Sequence, residues 1–265
     1  MTSSNPSTEL PTSPPESSSS TALPETMRCW TVTSRGSPRQ ALSLNPAAPT
    51  PSLPTGDPSS SSSSSSLVLV RITHVALNPA DLVLQRLLLP WLPLFRIASP
   101  VPGMDFAGEV VALGGGGGGG GGGSQDDHPK PLRVGDRVCG AAGLRDVLAG
   151  RGTLAELVLL DRALLAPVPA GWTGREAAGT MGIAGQTACS MVRKAATALG
   201  DDLGVAGGEL REGVLGKRRV LINGASGGVG TVLVQICKGL GAEMVVGVCS
   251  GANEELVKGL GADEV

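Results

Sequence analysis

The residues best suited to chemistry lie in the run Val220-Leu221-Ile222-Asn223-Gly224-Ala225-Ser226-Gly227-Gly228-Val229-Gly230. It carries the spacing A-x-G-x-x-G, with Ala225 where a dinucleotide fingerprint usually has its first glycine. An apolar, β-branched stretch precedes it, and Val229, Val232, Leu233, Ile236, Cys237 and Leu240 follow at helical spacing. Strand, glycine turn and helix in that order are the context that pyrophosphate binding needs. Gly227 lets the backbone approach the phosphates, and Gly230 lets the helix pack closely on the strand. The helix start then offers free N–H groups and the positive end of its dipole. Ala225, Ser226, Gly227, Gly228, Val229 and Gly230 are therefore the candidate phosphate-binding residues. A glycine-rich turn that binds nothing is the alternative.

The choice between nicotinamide cofactors falls at the tip of the next strand. An NAD site usually places Asp or Glu there to hold the ribose 2′-hydroxyl. Here the tip reads Val248-Cys249-Ser250-Gly251-Ala252-Asn253, with no acid before Glu254. A carboxylate would repel a 2′-phosphate, whereas Ser250 and Asn253 can hydrogen-bond one, so the expected cofactor is NADPH. Asn253 can also serve as a helix N-cap. No arginine stands nearby, and Lys258 sits a turn away.

These residues need a frame, and the chain supplies two textures. Residues 27–172 read as short strands between turns: Leu67–Ala76, Asp105–Leu113, a tight turn at Val134–Asp136 feeding a strand, and Thr153–Leu160. Strands at this spacing suggest a β-barrel-like domain. Residues 173–265 turn helical over Arg175–Ala198. They then alternate: strand Arg219–Asn223, helix Gly228–Leu240, strand Glu243–Val248, helix Asn253–Leu260, with Asp263-Glu264-Val265 opening a third strand. That order begins a doubly wound parallel sheet, of which only the first part is present. The expected class is α/β, a β-rich barrel domain followed by an incomplete Rossmann sheet.

Three segments add nothing to a core. Residues 1–26 are rich in Ser, Thr and Pro, eight serines fill 59–66, and ten glycines fill 114–123. They bury too little apolar surface to offset the entropy of ordering them, so a disordered tail and two flexible insertions are expected. The formal net charge of -2 without a basic stripe points away from nucleic acid and anionic membranes. The tail lacks the apolar core of a signal peptide. Leu82–Ala98, the most apolar stretch, is interrupted by Gln85, Arg86, Pro90, Pro93 and Arg96, and reads as a buried helix and loop rather than a membrane span. The five cysteines are scattered and the two histidines, His74 and His128, stand apart. No ligand set for zinc is expected, and reduced cysteines suit a cytoplasmic protein.

Several words together resemble the medium-chain dehydrogenase/reductase superfamily, in particular its zinc-free quinone oxidoreductase and enoyl reductase branch. They are Ala76-Leu77-Asn78-Pro79-Ala80-Asp81, Pro102-Gly103-Met104-Asp105-Phe106-Ala107-Gly108-Glu109-Val110, Val134-Gly135-Asp136-Arg137-Val138, Gly152-Thr153-Leu154-Ala155-Glu156 and Ile222 to Gly230. Their order is the family's, from Met27 to Val265. The resemblance implies a GroES-like catalytic domain over 27–172 and the first part of an NADP-binding domain over 173–265, with further strands in a full-length protein. It also makes a homodimer of that full-length protein a natural expectation.

Zinc-dependent relatives carry Gly-His-Glu where this chain has Gly103-Met104-Asp105, and Asn78-Pro79 stands near a cysteine ligand of theirs. Methionine is a poor substitute for histidine on zinc, so no catalytic metal is expected. Without one, the implied reaction is hydride transfer from NADPH to an already conjugated acceptor, a quinone or an α,β-unsaturated carbonyl. The resemblance assigns Asn78 to the substrate carbonyl, with Asp81 nearby, although Asn78-Pro79 also suits a plain turn. It places Thr187 along the cofactor cleft; a helix-interior threonine is the alternative. Some relatives use Tyr or Lys as a proton donor, but this chain has no tyrosine and Leu82-Val83-Leu84 follows Asp81. Leu87 to Phe95 would flank the pocket and favour an apolar substrate. The rival expectation is a truncated, non-catalytic nucleotide-binding remnant or regulatory protein of the same family.

Overall fold

The computed structural model describes residues 23–34, 36–54, 66–87, 100–114, 131–200 and 213–265. The tail before residue 23, the serine run apart from Ser66, the glycine run after Gly114, His128 and the apolar stretch 88–95 lie outside the described residues. In chain order the elements are β1 (Thr26–Val32), α1 (Pro38–Ala41), β2 (Leu42–Pro49), β3 (Leu67–Ala76), α2 (Pro79–Leu87), β4 (Asp105–Leu113), β5 (Arg137–Ala141), α3 (Leu144–Leu148), β6 (Leu157–Asp161) and β7 (Leu165–Pro167). Then follow α4 (Gly174–Met181), α5 (Ile183–Ala198), β8 (Arg219–Asn223), α6 (Gly228–Gly239), β9 (Met244–Val248) and α7 (Glu254–Gly259).

The β-rich part is an antiparallel sheet in the order β6-β3-β4-β5-β7, with β1 and β2 paired separately. Successive side chains of a strand point to opposite faces, and β3 buries both. Val68 and Val70 join Phe106, Val110, Val138 and Leu160 in the main core. Leu69 faces the other way, onto Met27, Cys29 and Leu157, so the β1–β2 pair covers the second face. The bridge between Cys29 and Ala155 fastens that cover.

Strand β2 and helix α1 carry too weak a pattern to be read from sequence. Pro46 and Pro49 interrupt β2, and most of its residues are exposed, so pairing with β1 alone holds it extended. The strand expected from Thr153 starts only at Leu157. Residues 153 and 154 instead donate their amides to Gly103 and Pro102, while Leu154 accepts from Trp30. Helix α2 also differs from the expected buried helix: Leu82 and Val83 face outward, and Asp81, Leu84 and Gln85 face inward.

The nucleotide-type half has β8 and β9 in parallel, joined by α6, with Val246 bridging in parallel to Glu264. Its core gathers Ile222, Ala225, Leu233, Val234, Cys237, Leu240, Val245 and Val257, with Ala188 and Val192 from α5. The helical stretch Arg175–Ala198, which the sequence interrupts with Gly179, Gly182 and Gly185, is two helices broken at Gly182 alone. Helix α4 lays Ala177 and Ala178 on Ala107 and Cys139 of the barrel sheet, whereas α5 packs on α6. The break is where the chain passes from one core to the other.

Candidate functional site

The loop between β8 and α6 is held by three features. Gly224 turns through a left-handed φ of 75°, where a side chain would be strained. The amides of Gly224 and Ala225 both donate to the Val248 carbonyl at 2.9 Å, tying the loop to the tip of β9. A Cβ on Gly230 would run into the Gly224 carbonyl, so α6 can approach this closely only with glycine there. Ala225 is fully buried. Its methyl group is accommodated because Gly247 stands across on β9: a Cβ there would meet the Ala225 methyl at 3.1 Å and Val257 at 2.6 Å. The alanine in place of the fingerprint's first glycine is thus matched by a glycine on the adjacent strand.

Gly227 and Gly228 are exposed, and the first turn of α6 has N–H groups lacking intrahelical acceptors. That cradle fits a pyrophosphate. Ser226 joins it to the strand tip, because Asn253 Nδ2 donates to Ser226 Oγ at 3.3 Å and to Ser250 Oγ at 3.0 Å. Asn253 occupies the N-cap position of α7 without a side-chain cap bond, so its amide serves the loop rather than the helix. Lys258 is engaged elsewhere, with Glu254 at 2.6 Å. Thr187 is exposed on α5, one turn beyond Ala184. Ala184 would touch a Cβ on Gly228 at 3.9 Å, which puts the start of α5 beside the loop.

The second cluster forms around Asn78. Pro79 opens α2, leaving Asn78 as the residue before the helix. Asp81, three residues on, reaches back and accepts the Asn78 backbone N–H at 2.6 Å, half of a capping box. The Asn78 side chain reaches beyond its own helix: its Nδ2 donates to Asp105 Oδ2 at 2.9 Å. Asp105 Oδ1 accepts the backbone N–H of Ile183, the first residue of α5, also at 2.9 Å. Thr153 Oγ1 donates to the Asp105 carbonyl at 3.3 Å. A Cβ on Gly182 would fall into the Asp105 carboxylate, which explains the break between α4 and α5.

Asp105 was not singled out as a site residue from sequence; its signals are an acid opening an otherwise apolar strand, in the place of the acid of the relatives' Gly-His-Glu word, and a glycine interrupting a helical stretch. It is 1% exposed and Asp81 is 7% exposed. Burial raises both carboxyl pKa values above the ordinary 3.8, against hydrogen bonds that lower them; the nearby Asp81 charge raises Asp105 further. Asp81 Oδ1 is buried with no hydrogen-bond partner among the described residues.

A carboxyl group with a raised folded-state pKa binds its proton more tightly in the folded chain. Its stabilising contribution is complete below the unfolded value near 3.8 and is lost as pH rises through the folded value. Asp81→Asn removes that dependence at one of the two groups. The urea midpoint of the variant, relative to the parent, should therefore climb as pH rises from about 4 through the raised folded value. A difference that stays flat or falls would show that Asp81 ionises normally.

Among the described residues no group of three or more His, Cys, Asp or Glu side chains could hold a metal ion, and Met104 packs in the barrel core. No helix among them is long and apolar enough to cross a membrane.

Comparison with known proteins finds the alcohol dehydrogenase GroES-like domain over residues 64–170. The trans-enoyl reductase pgmF of Aspergillus terreus is 32% identical over 245 residues, covering 92% of this chain and 59% of that protein. The chain therefore spans less than two thirds of that relative's length. Among solved structures, the quinone oxidoreductase of Coxiella burnetii superposes with a TM-score of 0.63 at 24% identity, over 90% of this chain and 61% of that one. A mycobacterial protein complexed with NADPH gives a TM-score of 0.60 at 24% identity, over 91% and 58%. These two likenesses establish the fold.

Proposed function

Because the chain belongs to the medium-chain dehydrogenase/reductase superfamily, in its quinone and enoyl reductase-like branch, we propose that it serves a zinc-independent, NADPH-dependent reduction of a quinone or an α,β-unsaturated carbonyl. The observation that carries this is the joining of the two clusters. Asp105 holds both the Asn78 amide and the first amide of α5, and the next residue of α5, Ala184, faces Gly228 of the nucleotide loop.

Gly228 and Val229 would hold the pyrophosphate with backbone N–H groups, on a turn that the Gly227 N–H closes by donating to the Gly224 carbonyl at 2.9 Å, and Ser226, Ser250 and Asn253 would hydrogen-bond the 2′-phosphate. When bound, the dihydronicotinamide supplies a hydride to the conjugated acceptor. An asparagine amide has two N–H donors, and Asp105 engages one of them. Asn78 directs the other at the acceptor's carbonyl oxygen, where negative charge develops as the hydride arrives. Asp81 fixes the Asn78 backbone. With no tyrosine in the chain, the completing proton comes from water. Thr187 lines the cofactor side of α5. Zinc is dispensable in this reading because Met104, which stands where zinc-dependent relatives carry a histidine, is a poor zinc ligand and packs in the barrel core. A small-molecule substrate, a cytoplasmic location and a homodimer of the full-length protein belong to the same proposal.

The test is titration of the purified chain with NADPH and NADH, followed by NADPH oxidation with a quinone and with an enone. NADPH should bind with a Kd of roughly 1–100 μM, at least about tenfold more tightly than NADH, and should be consumed with an acceptor present. A folded chain that binds neither nucleotide overturns the proposal. Binding without turnover of any acceptor would favour a regulatory nucleotide-binding module.

A further inference from the structure

We propose that Asp105 is a positioning residue that fixes the amide of Asn78 and ties it to the start of α5, so that the substrate-orienting group and the nucleotide half keep one geometry. This rests on the reductase function proposed above. Three observations converge on it. Both Asp105 oxygens accept, one from Asn78 Nδ2 and one from Ile183 N–H, each at 2.9 Å. Its backbone carbonyl accepts from the buried Thr153 hydroxyl, so the residue is held on the barrel side as well. The Gly182 position leaves the carboxylate just enough room, since any Cβ there would collide with it.

The geometry explains why a carboxylate is needed. An amide group of Asn78 without a fixed acceptor can rotate, presenting its carbonyl rather than its N–H to the acceptor oxygen. Both partners of Asp105 are donors, and only an ionised carboxylate offers acceptors to both at once. The helix start adds to this, because α5 places its positive end at Asp105 Oδ1. Burial and the Asp81 charge oppose ionisation, while the Asn78 and Ile183 donors favour it. An asparagine at 105 keeps the volume but has one acceptor oxygen, and its NH₂ would face one of the two donors.

The test is a double-mutant cycle on the full chain with Asn78→Ala, Asp105→Asn and the combined variant. NADPH oxidation with an enone is followed, and NADPH affinity is measured separately. Asp105→Asn should lower kcat about 10- to 100-fold, as expected for a misplaced orienting group, while the NADPH Kd stays within about threefold. The combined variant should be no slower than Asn78→Ala, because Asp105 acts through Asn78. Multiplicative losses, or a changed Kd with unchanged kcat, would overturn the proposal. If the parent chain turns over no acceptor, the reductase function fails, and nuclear magnetic resonance of the Asn78 side chain decides the positioning claim alone. Its amide protons should exchange slowly in the parent and rapidly in Asp105→Asn; equal exchange in both would refute it.

Discussion

Gly230→Val is expected to abolish measurable NADPH binding, with a loss of at least about 100-fold in affinity. Each methyl of valine branches from a Cβ that already collides with the Gly224 carbonyl and lies 2.7 Å from Ala225 Cα and 2.9 Å from its carbonyl carbon. All three are backbone atoms, so no flexible side chain can give way. Relief requires α6 to move away from β8, which pulls the first turn of the helix off the phosphate position. Overpacking of this kind costs about 1–3 kcal/mol or more, so circular dichroism and urea unfolding must show a folded variant before the titration is interpreted. Gly227→Ala is the control. Its Cβ would stand 3.3 Å from the Gly224 carbonyl, a tight but adjustable contact, and binding should weaken far less. Undiminished binding by a folded Gly230→Val chain would mean that the nucleotide does not use this loop.

Ser250→Asp should reverse cofactor preference. Ser250 stands exposed just beyond β9, within reach of Asn253 Nδ2, which also binds Ser226 of the loop. A carboxylate here meets a 2′-phosphate as a like charge and meets a free 2′-hydroxyl as a strong acceptor. NADPH should weaken about 100-fold and NADH should strengthen about 10-fold, a swing of about 4 kcal/mol in relative binding. Titration of both nucleotides against parent and variant checks this. The NADPH loss should shrink at high salt, because the site is open to solvent. An unchanged preference would remove the strand tip from the cofactor site.

The family, the α/β class and the glycine turn between β8 and α6 were legible in the sequence because each leaves a local pattern. Hydrophobic period sets strand or helix, as in β3, β4 and α6. Glycine at a fixed offset permits a turn that other residues resist, as at Gly224 and Gly135. Asn78 and Asp81 were also legible, as a word with a family counterpart.

The tertiary structure decided what those residues do. Asp81, three positions on, accepts the Asn78 backbone N–H, while the Asn78 side-chain amide also donates to Asp105, distant in sequence. Asp105 in turn selects Ile183 and excludes any side chain at Gly182. Likewise Ala225 is tolerated in the loop because Gly247 leaves space on the neighbouring strand. Strand β2 exists by pairing with β1 despite two prolines. The sequence determined which segments take which local form, since local conformation follows from nearby sterics and periodicity. Only the folded chain decided which polar groups meet in the interior, because a buried carboxylate must find its donors wherever packing brings them, at any separation along the chain.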